Sequence, residues 1–363
     1  MTSSKDNKNS EKPMSFSIRV NNFRRKVMYG LTKNIGKSNM KKALSRTSQV
    51  DIKKILIVRP NHRLGNLLLT TPLIQEINDT FPNCEIDIIV KGNLAPILYE
   101  NFSNINDYIV LPRKPFKELI TYAKVWLGVK YKTYDLVINA VKDSSSGKLL
   151  TGFANAKLKV FDDIEDNFEL KIPDSHHIAK NPVYALRAYL SKLGYPKNER
   201  PIPLLDMKLS AVEIEEGKTV LNNLVKNNAK TICIYTFATG YKCHSKQWWK
   251  EFYIQLKTTF KEHNIIEVLP IENISQIDFE APSYYSKDLR EMAAVIENTS
   301  LFIGADCGVM HLAAATKTPV IGLFSQGKIE KYKPYGNNNI AIDTSKQSIS
   351  ECIKEAETII NKS

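Results

Sequence analysis

One stretch of the chain, from Ser300 to Phe324, has residue types and a spacing that suit the binding of an anion. Two short apolar runs predict buried parallel strands, joined by a helix that starts at the carboxyl end of the first strand. Open α/β sheets bind their ligands at that end. We expect Asp306 to cap the helix, so that the free N–H groups of Gly308 to Met310 face a diphosphate. The alternative is an ordinary glycine turn in which His311 packs in the core.

A second glycine turn, between Arg59 and Leu73, supplies groups that could handle a proton. His62 titrates near neutral pH, with an ordinary pKa of about 6.5. Asn66 follows the glycine and, as an amide, cannot accept a proton near neutral pH. His62 is therefore the candidate base of this turn; the alternative is an exposed turn residue without a catalytic role.

Thr239, Gly240 and Lys246 lie in a loop that follows a predicted strand. A lysine ammonium in such a loop would stabilise a departing diphosphate, although a solvated loop lysine is the alternative. Glu272 follows the next predicted strand, where a carboxylate can accept hydrogen bonds from ribose hydroxyls.

The block from Asp306 to Phe324 resembles the D-[TS]-G-x-x-H-x-A-A-A motif, followed by P-x-[IV]-x-[LI]-[FY], of glycosyltransferase family 9, the heptosyltransferase family. In that family the block holds the diphosphate of a nucleotide sugar. The resemblance implies a set of donor-binding residues: Asp306, Cys307, Gly308, Val309, Met310 and His311. Cys307 stands where the family has Thr or Ser, which removes one hydroxyl donor and keeps the backbone donors.

The first glycine turn resembles the family's R-x-x-x-x-G-D-x-[VL]-x-[TS]-x-P-x-[LI], whose Asp is the general base. Asn66 occupies that position here, and Asn139 stands where the family usually has a second Asp. Three explanations stay open. His62 acts as the base, or Asn66 only orients the acceptor, or the protein binds a nucleotide sugar without transferring it.

The resemblance also implies roles for the two polar loops. Lys246, followed by Gln and Trp, is similar to the family's K-x-W, in which the lysine contacts the diphosphate. Thr239 and Gly240 would add contacts to phosphate. The acidic residue that the family tends to place on the ribose corresponds to Glu272; Glu267 and Asp278 are weaker alternatives.

Alternating strands and helices must position these residues, and their spacing predicts doubly wound α/β sheets. The resemblance implies two Rossmann-like domains facing across a cleft, the GT-B glycosyltransferase architecture. We predict a basic tail with an amphipathic helix at 1–50, an acceptor domain at 51–200 and a nucleotide-sugar domain at 201–345. A C-terminal helix at 346–363 is expected to cross back to the first domain, and the first glycine turn to feed a helix at 67–81.

The charge of the chain is concentrated at its start. The net charge is +13, and residues 1–50 account for +10 of it, with twelve Lys or Arg against two acids. The nearly balanced remainder argues against a nucleic-acid groove. Apolar residues at helical spacing between Met14 and Arg46 predict a basic amphipathic helix on an anionic membrane surface. The alternative is a helix packed on the protein body.

Other features narrow the class of protein. No apolar run approaches the roughly 18 residues of a membrane span, and no signal peptide opens the chain, so we expect a cytoplasmic protein that is peripheral at the inner membrane face. Five scattered cysteines predict neither a disulfide framework nor a zinc site. The chain has no G-x-G-x-x-G after a strand, which argues against an NAD-dependent oxidoreductase.

Together, the residues and the resemblance predict an inverting glycosyltransferase that needs no metal and no cofactor. Its donor would be a nucleotide sugar, expected to be ADP-activated heptose, and its acceptor a lipid-linked glycan such as lipopolysaccharide core. The backbone donors at Gly308 to Met310 and Lys246 would replace a metal ion beside the leaving diphosphate. The alternative is a nucleotide-sugar-binding protein of the same fold that lacks transfer activity because of Asn66.

Overall fold

The computed structural model describes residues 51–113, 117–141, 144–161, 172 and 174–362, together with the single positions 30 and 36. Apart from those two positions, the predicted basic amphipathic helix of the tail lies outside the described residues. Within the described residues, no helix is long and apolar enough to cross a membrane. The same part of the chain holds no group of three or more His, Cys, Asp or Glu placed to bind a metal ion.

The first domain is a five-stranded sheet with strand order β3-β2-β1-β4-β5, and its strand pairs are parallel. The elements are β1 (Lys54–Val58), α1 (Leu64–Leu68), α2 (Thr71–Thr80), β2 (Glu85–Lys91), α3 (Leu94–Leu98), β3 (Ile105–Leu111), α4 (Leu119–Tyr131), β4 (Thr133–Asn139), α5 (Ser145–Phe153), β5 (Asn155–Val160) and α6 (Asn181–Lys192).

The second domain is a six-stranded parallel sheet with strand order β11-β10-β9-β6-β7-β8. Its elements are α7 (Ala211–Val225), β6 (Thr231–Tyr235), α8 (Lys246–Thr259), β7 (Asn264–Val268), β8 (Ser283–Tyr284), α9 (Leu289–Glu297), β9 (Leu301–Ala305), α10 (Gly308–Ala313), β10 (Val320–Phe324), α11 (Ile329–Tyr332), β11 (Ile340–Asp343) and α12 (Ile349–Ile360). The predicted α/β fold with two doubly wound domains is confirmed.

The central strands form because their sequences are continuous apolar runs that both helix layers cover. Every residue of β6, β9 and β10 is buried. The helices begin at polar caps: Ser210 before α7 and Ser348 before α12 each form a capping box with a glutamate three residues later. Strand order reverses between β1 and β4 in one sheet and between β6 and β9 in the other. These reversals are the points where doubly wound sheets bind ligands.

The single helix predicted at 67–81 is wrong, because the structure divides this segment into α1 and α2. Pro72 has no N–H to donate to the carbonyl of Leu68, and the hydroxyl of Thr71 donates to that carbonyl at 2.8 Å instead. Helix α1 therefore ends at Leu68, and Asn66 lies inside a short helix rather than in the turn before it.

The predicted crossing of the C-terminal helix to the first domain is also wrong for the residues described. Helix α12 packs on the second domain, and its buried side chains join the core of β6, α8 and β9. These side chains are Cys352, Ile353, Ala356, Ile359 and Ile360. Their helical spacing gives α12 one apolar face, and the second sheet already offers the surface that covers it.

One apolar cluster extends through both domains, in addition to a separate cluster within each domain. A buried arginine on α9 also joins them. Arg290 donates to the carbonyl of Ile97 in the first domain at 3.3 Å and to that of Met207 in the connecting segment at 3.2 Å. It also pairs with Glu213 of α7. The pair with Glu213 lies within the second domain, whereas Glu100 of the first domain, whose Oε2 is 3.3 Å from Nε of Arg290, adds a contact across the boundary.

Candidate active site

Two loops meet at the strand reversal of the second sheet. Lys242 lies in the short turn after β6, and its Nζ is 2.5 Å from Oδ2 of Asp306, which follows β9. The carboxylate is almost fully buried and the lysine is about one-third exposed, at 31%. The hydroxyl of Ser325, after β10, donates to the carbonyl of Lys242 at 3.4 Å. Lys242 is therefore held at this edge of the sheet by Asp306 through its ammonium and by Ser325, from a third loop, through its backbone carbonyl.

The expectation that Asp306 caps α10 is wrong, because the residue at the cap is Cys307. Among the described residues, the Cys307 side chain makes no capping hydrogen bond. Burial raises the pKa of this thiol to about 12, and the nearby N–H groups of Met310 and Val309 offset part of the rise. The thiol therefore stays protonated, and Asp306 holds Lys242 instead of the helix end.

His311 of α10 lies against the first domain. A side chain at Gly65 would place its Cβ 2.6 Å from Cδ2 of His311, and one at Gly308 would meet Cβ of Leu64 at 3.1 Å. The first contact is too close for any side chain at Gly65, and the second would require Leu64 to shift by a few tenths of an ångström, so the two glycine turns touch where a side chain is missing. The sequence motifs that lie far apart in the chain are thus in direct contact across the domain boundary.

The imidazole of His311 is buried and neutral. Burial is the main cause that lowers its pKa to about 3, and the positive charge of Lys242 contributes. Its Nδ1 has no hydrogen-bond partner among the described residues. A buried polar atom without a partner is uncommon in a native fold, so Nδ1 is a group that a bound ligand could satisfy.

Asn66 of α1 is held by two residues of the preceding turn. Nη2 of the buried Arg59 donates to the side-chain oxygen of Asn66 at 3.2 Å and to its carbonyl at 2.9 Å. The amide nitrogen of Asn66 donates to Oδ1 of Asn61 at 3.3 Å. Burial lowers the pKa of Arg59 to about 10, which leaves it charged at neutral pH. The Asn66 amide therefore has a donor on one side and an acceptor on the other.

His62 lies on the exposed part of the same turn, among positive charges. Its pKa is lowered from the usual value, first by partial burial and then by Arg113, Arg63 and Lys91. The neutral imidazole, which is the form able to accept a proton, is therefore favoured near neutral pH. Asn139, at the end of β4, is fully buried and donates to the carbonyl of Val141 at 2.9 Å.

Lys246, predicted from the K-x-W motif, is the first residue of α8 and is paired elsewhere. Its Nζ lies 2.7 Å from Oδ1 of Asp278, whose other oxygen is 2.6 Å from Nζ of Lys250. The K-x-W motif indicated Lys246, which stands two residues before Trp248, and gave no indication of Lys242. The available signal was the position of Lys242 two residues after Gly240; Thr239 and Gly240 are both exposed at this edge.

Glu272 is exposed on the loop after β7. It is close enough to Tyr235, at the end of β6, to help raise the pKa of that phenol, for which burial is the main cause. The weaker alternatives are engaged elsewhere. Glu267 is buried and accepts hydrogen bonds from Thr236 at 2.5 Å and Ser275 at 2.6 Å. Asp278 is held by its two lysines, which leaves Glu272 as the accessible carboxylate of the three.

Comparisons with known proteins agree with this arrangement. Residues 286–361 match the family model "Glycosyltransferase family 9 (heptosyltransferase)". The chain is 25% identical over 301 residues to lipopolysaccharide heptosyltransferase 3 of Escherichia coli, covering 76% of this chain and 85% of that protein. It is 22% identical over 294 residues to the lipopolysaccharide core heptosyltransferase OpsX of Haemophilus influenzae, covering 76% and 80%.

Solved structures share the fold. A family 9 glycosyltransferase from Veillonella parvula superposes with a TM-score of 0.68 at 17% identity, covering 86% of this chain and all of that one, 100%. The E. coli heptosyltransferase WaaC with ADP superposes with a TM-score of 0.59 at 17% identity, covering 84% and 99%. These likenesses confirm the two-domain architecture, and the family model supports the resemblance at the second glycine turn, which lies within residues 286–361.

Proposed function

We propose that this chain, a glycosyltransferase of the family 9 type, transfers heptose or a related sugar from an ADP-activated donor to a lipid-linked acceptor such as lipopolysaccharide core. The names of the relatives support the sugar and the acceptor, and the ADP bound to WaaC supports the nucleotide. Residues 51–200 would bind the acceptor and residues 201–345 the donor.

The observation that carries the proposal is the contact between Gly65 and His311. By family resemblance, Gly65 belongs to the turn that binds the acceptor and His311 to the turn that binds the donor. A sugar held at one turn would lie beside an acceptor hydroxyl held at the other. Holding two reactants in this way can lower a reaction barrier by several kcal/mol.

The reaction we propose is a direct displacement with inversion at the anomeric carbon. The acceptor oxygen forms its bond on one face of the sugar as the bond to the diphosphate breaks on the other. The leaving diphosphate gains negative charge, which the N–H groups of Gly308 to Met310 and the ammonium of Lys242 would stabilise. Because these groups are fixed and positive, no metal ion or other cofactor is required in this scheme.

We assign the main phosphate contact to Lys242 rather than Lys246. Lys242 is held at the start of α10 by Asp306, whereas Lys246 is held by Asp278. Asp306 would act as a positioning residue, because its buried carboxylate fixes the ammonium between itself and the incoming phosphate. The donor set Thr239, Gly240, Glu272 and Asp306 to His311 is retained in the proposal.

The proposed general base is His62, since its lowered pKa keeps the imidazole neutral at the pH of the cell. Asn66 would then orient the acceptor through its amide. A second candidate function is binding of a nucleotide sugar without transfer. It is favoured by Asn66, whose side chain is occupied by Arg59 and Asn61 and cannot take a proton.

Transfer assays with the purified full chain separate the two candidates. With ADP-heptose and a lipopolysaccharide-core acceptor, we expect release of ADP that depends on the acceptor. ADP alone should also stabilise the fold, by about 2.7 kcal/mol at one hundred times its Kd. Stabilisation by ADP-heptose without ADP release from any acceptor would favour the binding protein. Absence of both responses would contradict both candidates.

The basic tail is proposed to hold the enzyme at the inner face of the cytoplasmic membrane, where a lipid-linked acceptor is made accessible. The support is the +10 charge of residues 1–50 together with their apolar residues at helical spacing. Each lysine or arginine near an anionic lipid surface contributes about 1 kcal/mol of binding. Reversing the charge of Arg24, Arg25 and Lys26 together should therefore release the protein from anionic vesicles at physiological salt.

A further inference from the structure

Helix α4 of the first domain is apolar on two opposite faces. Its inner face packs on the domain: Val129 is fully buried, and Trp126 lies 5.3 Å from Phe153 of α5, measured between ring centroids. A surface helix normally turns polar residues outward opposite such a face. Helix α4 departs from this rule.

The outer face of α4 carries large apolar side chains at helical spacing. Ile120, Leu127 and Tyr131 are 75%, 50% and 81% exposed, and Leu119 at the start of the helix is 61% exposed. These four residues form what we call the α4 stripe. Clustered exposed apolar side chains of this size mark a surface that binds a partner.

The α4 stripe is surrounded by positive charge. Lys117, Lys124 and Lys130 are exposed, and the exposed Glu118 is the one acidic residue of the sequence from position 108 to position 134. Large apolar residues with lysines beside them are the composition of helices that lie in the surface of an anionic bilayer. The apolar side chains enter the boundary between headgroups and acyl chains, while the lysines stay at the phosphates.

We propose that the α4 stripe docks on an anionic lipid surface, as a membrane contact separate from the basic tail. The tail is an unsuitable occupant of the stripe, because its net charge of +10 has the same sign as the lysines around it. A second copy of this chain would bring two like-charged stripes together. An anionic lipid surface has the opposite charge and needs no shape complementarity.

The position of the stripe agrees with this partner. Helix α4 follows β3, so it begins at the edge of the first sheet that also carries the turn from Asn61 to Asn66. Gly36, a described position within the predicted tail, lies on the same side of the domain: a Cβ there would be 3.0 Å from Phe161 and 3.4 Å from Lys148 of α5, the helix packed beside α4. The tail and the stripe can therefore face one membrane, with the acceptor turn beside it.

The test measures vesicle binding by the full chain, with Ile120→Ser and Leu127→Ser as variants and Ile254→Ser as the matched control. Ile254 is 59% exposed on α8 of the second domain, far from the stripe in the sequence. On vesicles with about one-third phosphatidylglycerol in phosphatidylcholine, we expect each stripe variant to bind at least about fivefold more weakly, and the control to bind like the unaltered chain.

A second pair of variants tests the charge. Lys124→Glu should weaken binding to the same vesicles by at least about fivefold, whereas Lys287→Glu, an exposed lysine of the second domain, should not. The three substituted positions of α4 and the two control positions are all exposed, so thermal melting should show an unchanged fold. Binding of the unaltered chain should fall as salt is raised, because surface charges are then screened.

Three results would overturn the proposal. First, the stripe variants could bind vesicles with the same affinity as the unaltered chain does. Sedimentation could show a dimer that Leu127→Ser dissociates without changing vesicle binding, which would make the stripe an interface between copies. Trypsin could cleave the tail faster in Ile120→Ser, again without a change in vesicle binding, which would make the tail the occupant. None of these measurements depends on sugar transfer, so they test the α4 stripe independently of the proposed glycosyltransferase function.

Discussion

The two glycine turns of this protein have the same position in their domains and different chemistry. The first turn follows β1 and the second follows β9, and both strands lie at the strand reversal of their sheet. Both turns lie at the domain boundary. The donor turn keeps a charged pair, Lys242 with Asp306, at the start of α10. At the first turn, the position after Gly65 carries an amide, Asn66, and β4 ends in a second amide, Asn139. One turn therefore offers a fixed cation, whereas the other offers amides that cannot accept a proton near neutral pH.

The largest effect is expected from removing the cation of the donor turn. Lys242→Ala should lower kcat for heptose transfer by about a hundredfold to a thousandfold, because a fixed donor to the leaving group is lost. Lys246→Ala is the matched control, since that lysine pairs with Asp278. Steady-state kinetics of both variants measure the difference. A larger loss of kcat in Lys246→Ala than in Lys242→Ala would show that Lys246, the residue that the K-x-W motif indicated, makes the phosphate contact.

A methyl group between the two turns should have the next largest effect. Gly65→Ala places a Cβ 2.6 Å from His311, so the turns must move apart. A displacement of about 1 Å can reduce the rate about a hundredfold. Gly128→Ala is the control, because a Cβ there meets nothing within 4 Å. Transfer that survives Gly65→Ala unchanged would show that the contact of the turns does not set the geometry of the reaction.

The pH dependence of transfer tests His62. The base must be neutral, so kcat/KM should rise with pH through the pKa of His62 and then level off. Since that pKa lies below the ordinary value of about 6.5, the rise should be complete near neutral pH. His62→Gln should remove this limb and lower the rate by about tenfold to a hundredfold, because a base of low pKa is a weak one. An unchanged limb in His62→Gln would exclude it as the base.

The smallest change is expected from Asn66→Asp. The new carboxylate would gain from the charge of Arg59 but would face Oδ1 of Asn61, which now accepts from the amide. With His62 as the base, we expect the rate to change by less than about tenfold. A large increase in transfer, with His62→Ala leaving the rate intact, would show that the acid at position 66 is the missing base.

The sequence was sufficient for the fold because buried parallel strands have a simple signal. The runs of β6, β9 and β10 are continuous and apolar, so the sequence pattern predicts their type and their place along the chain. The prediction was less good where a single residue changes the backbone. Pro72 divides one expected helix into α1 and α2. The hydrogen bond from the Thr71 hydroxyl to the Leu68 carbonyl is a side-chain contact, which the spacing of apolar residues does not indicate.

For the candidate site, the sequence by itself determined which residue types are available: the glycines of both turns, the amide at Asn66 and the lysines after β6. Only the tertiary structure decided which of them meet. Lys242 and Lys246 lie in one loop, and the choice between them depends on which carboxylate each ammonium reaches, Asp306 or Asp278. The contact of Gly65 with His311 likewise depends on how two separately formed sheets pack. Local sequence sets backbone preference and charge, whereas contacts between distant segments arise only when the domains bury their common apolar surface.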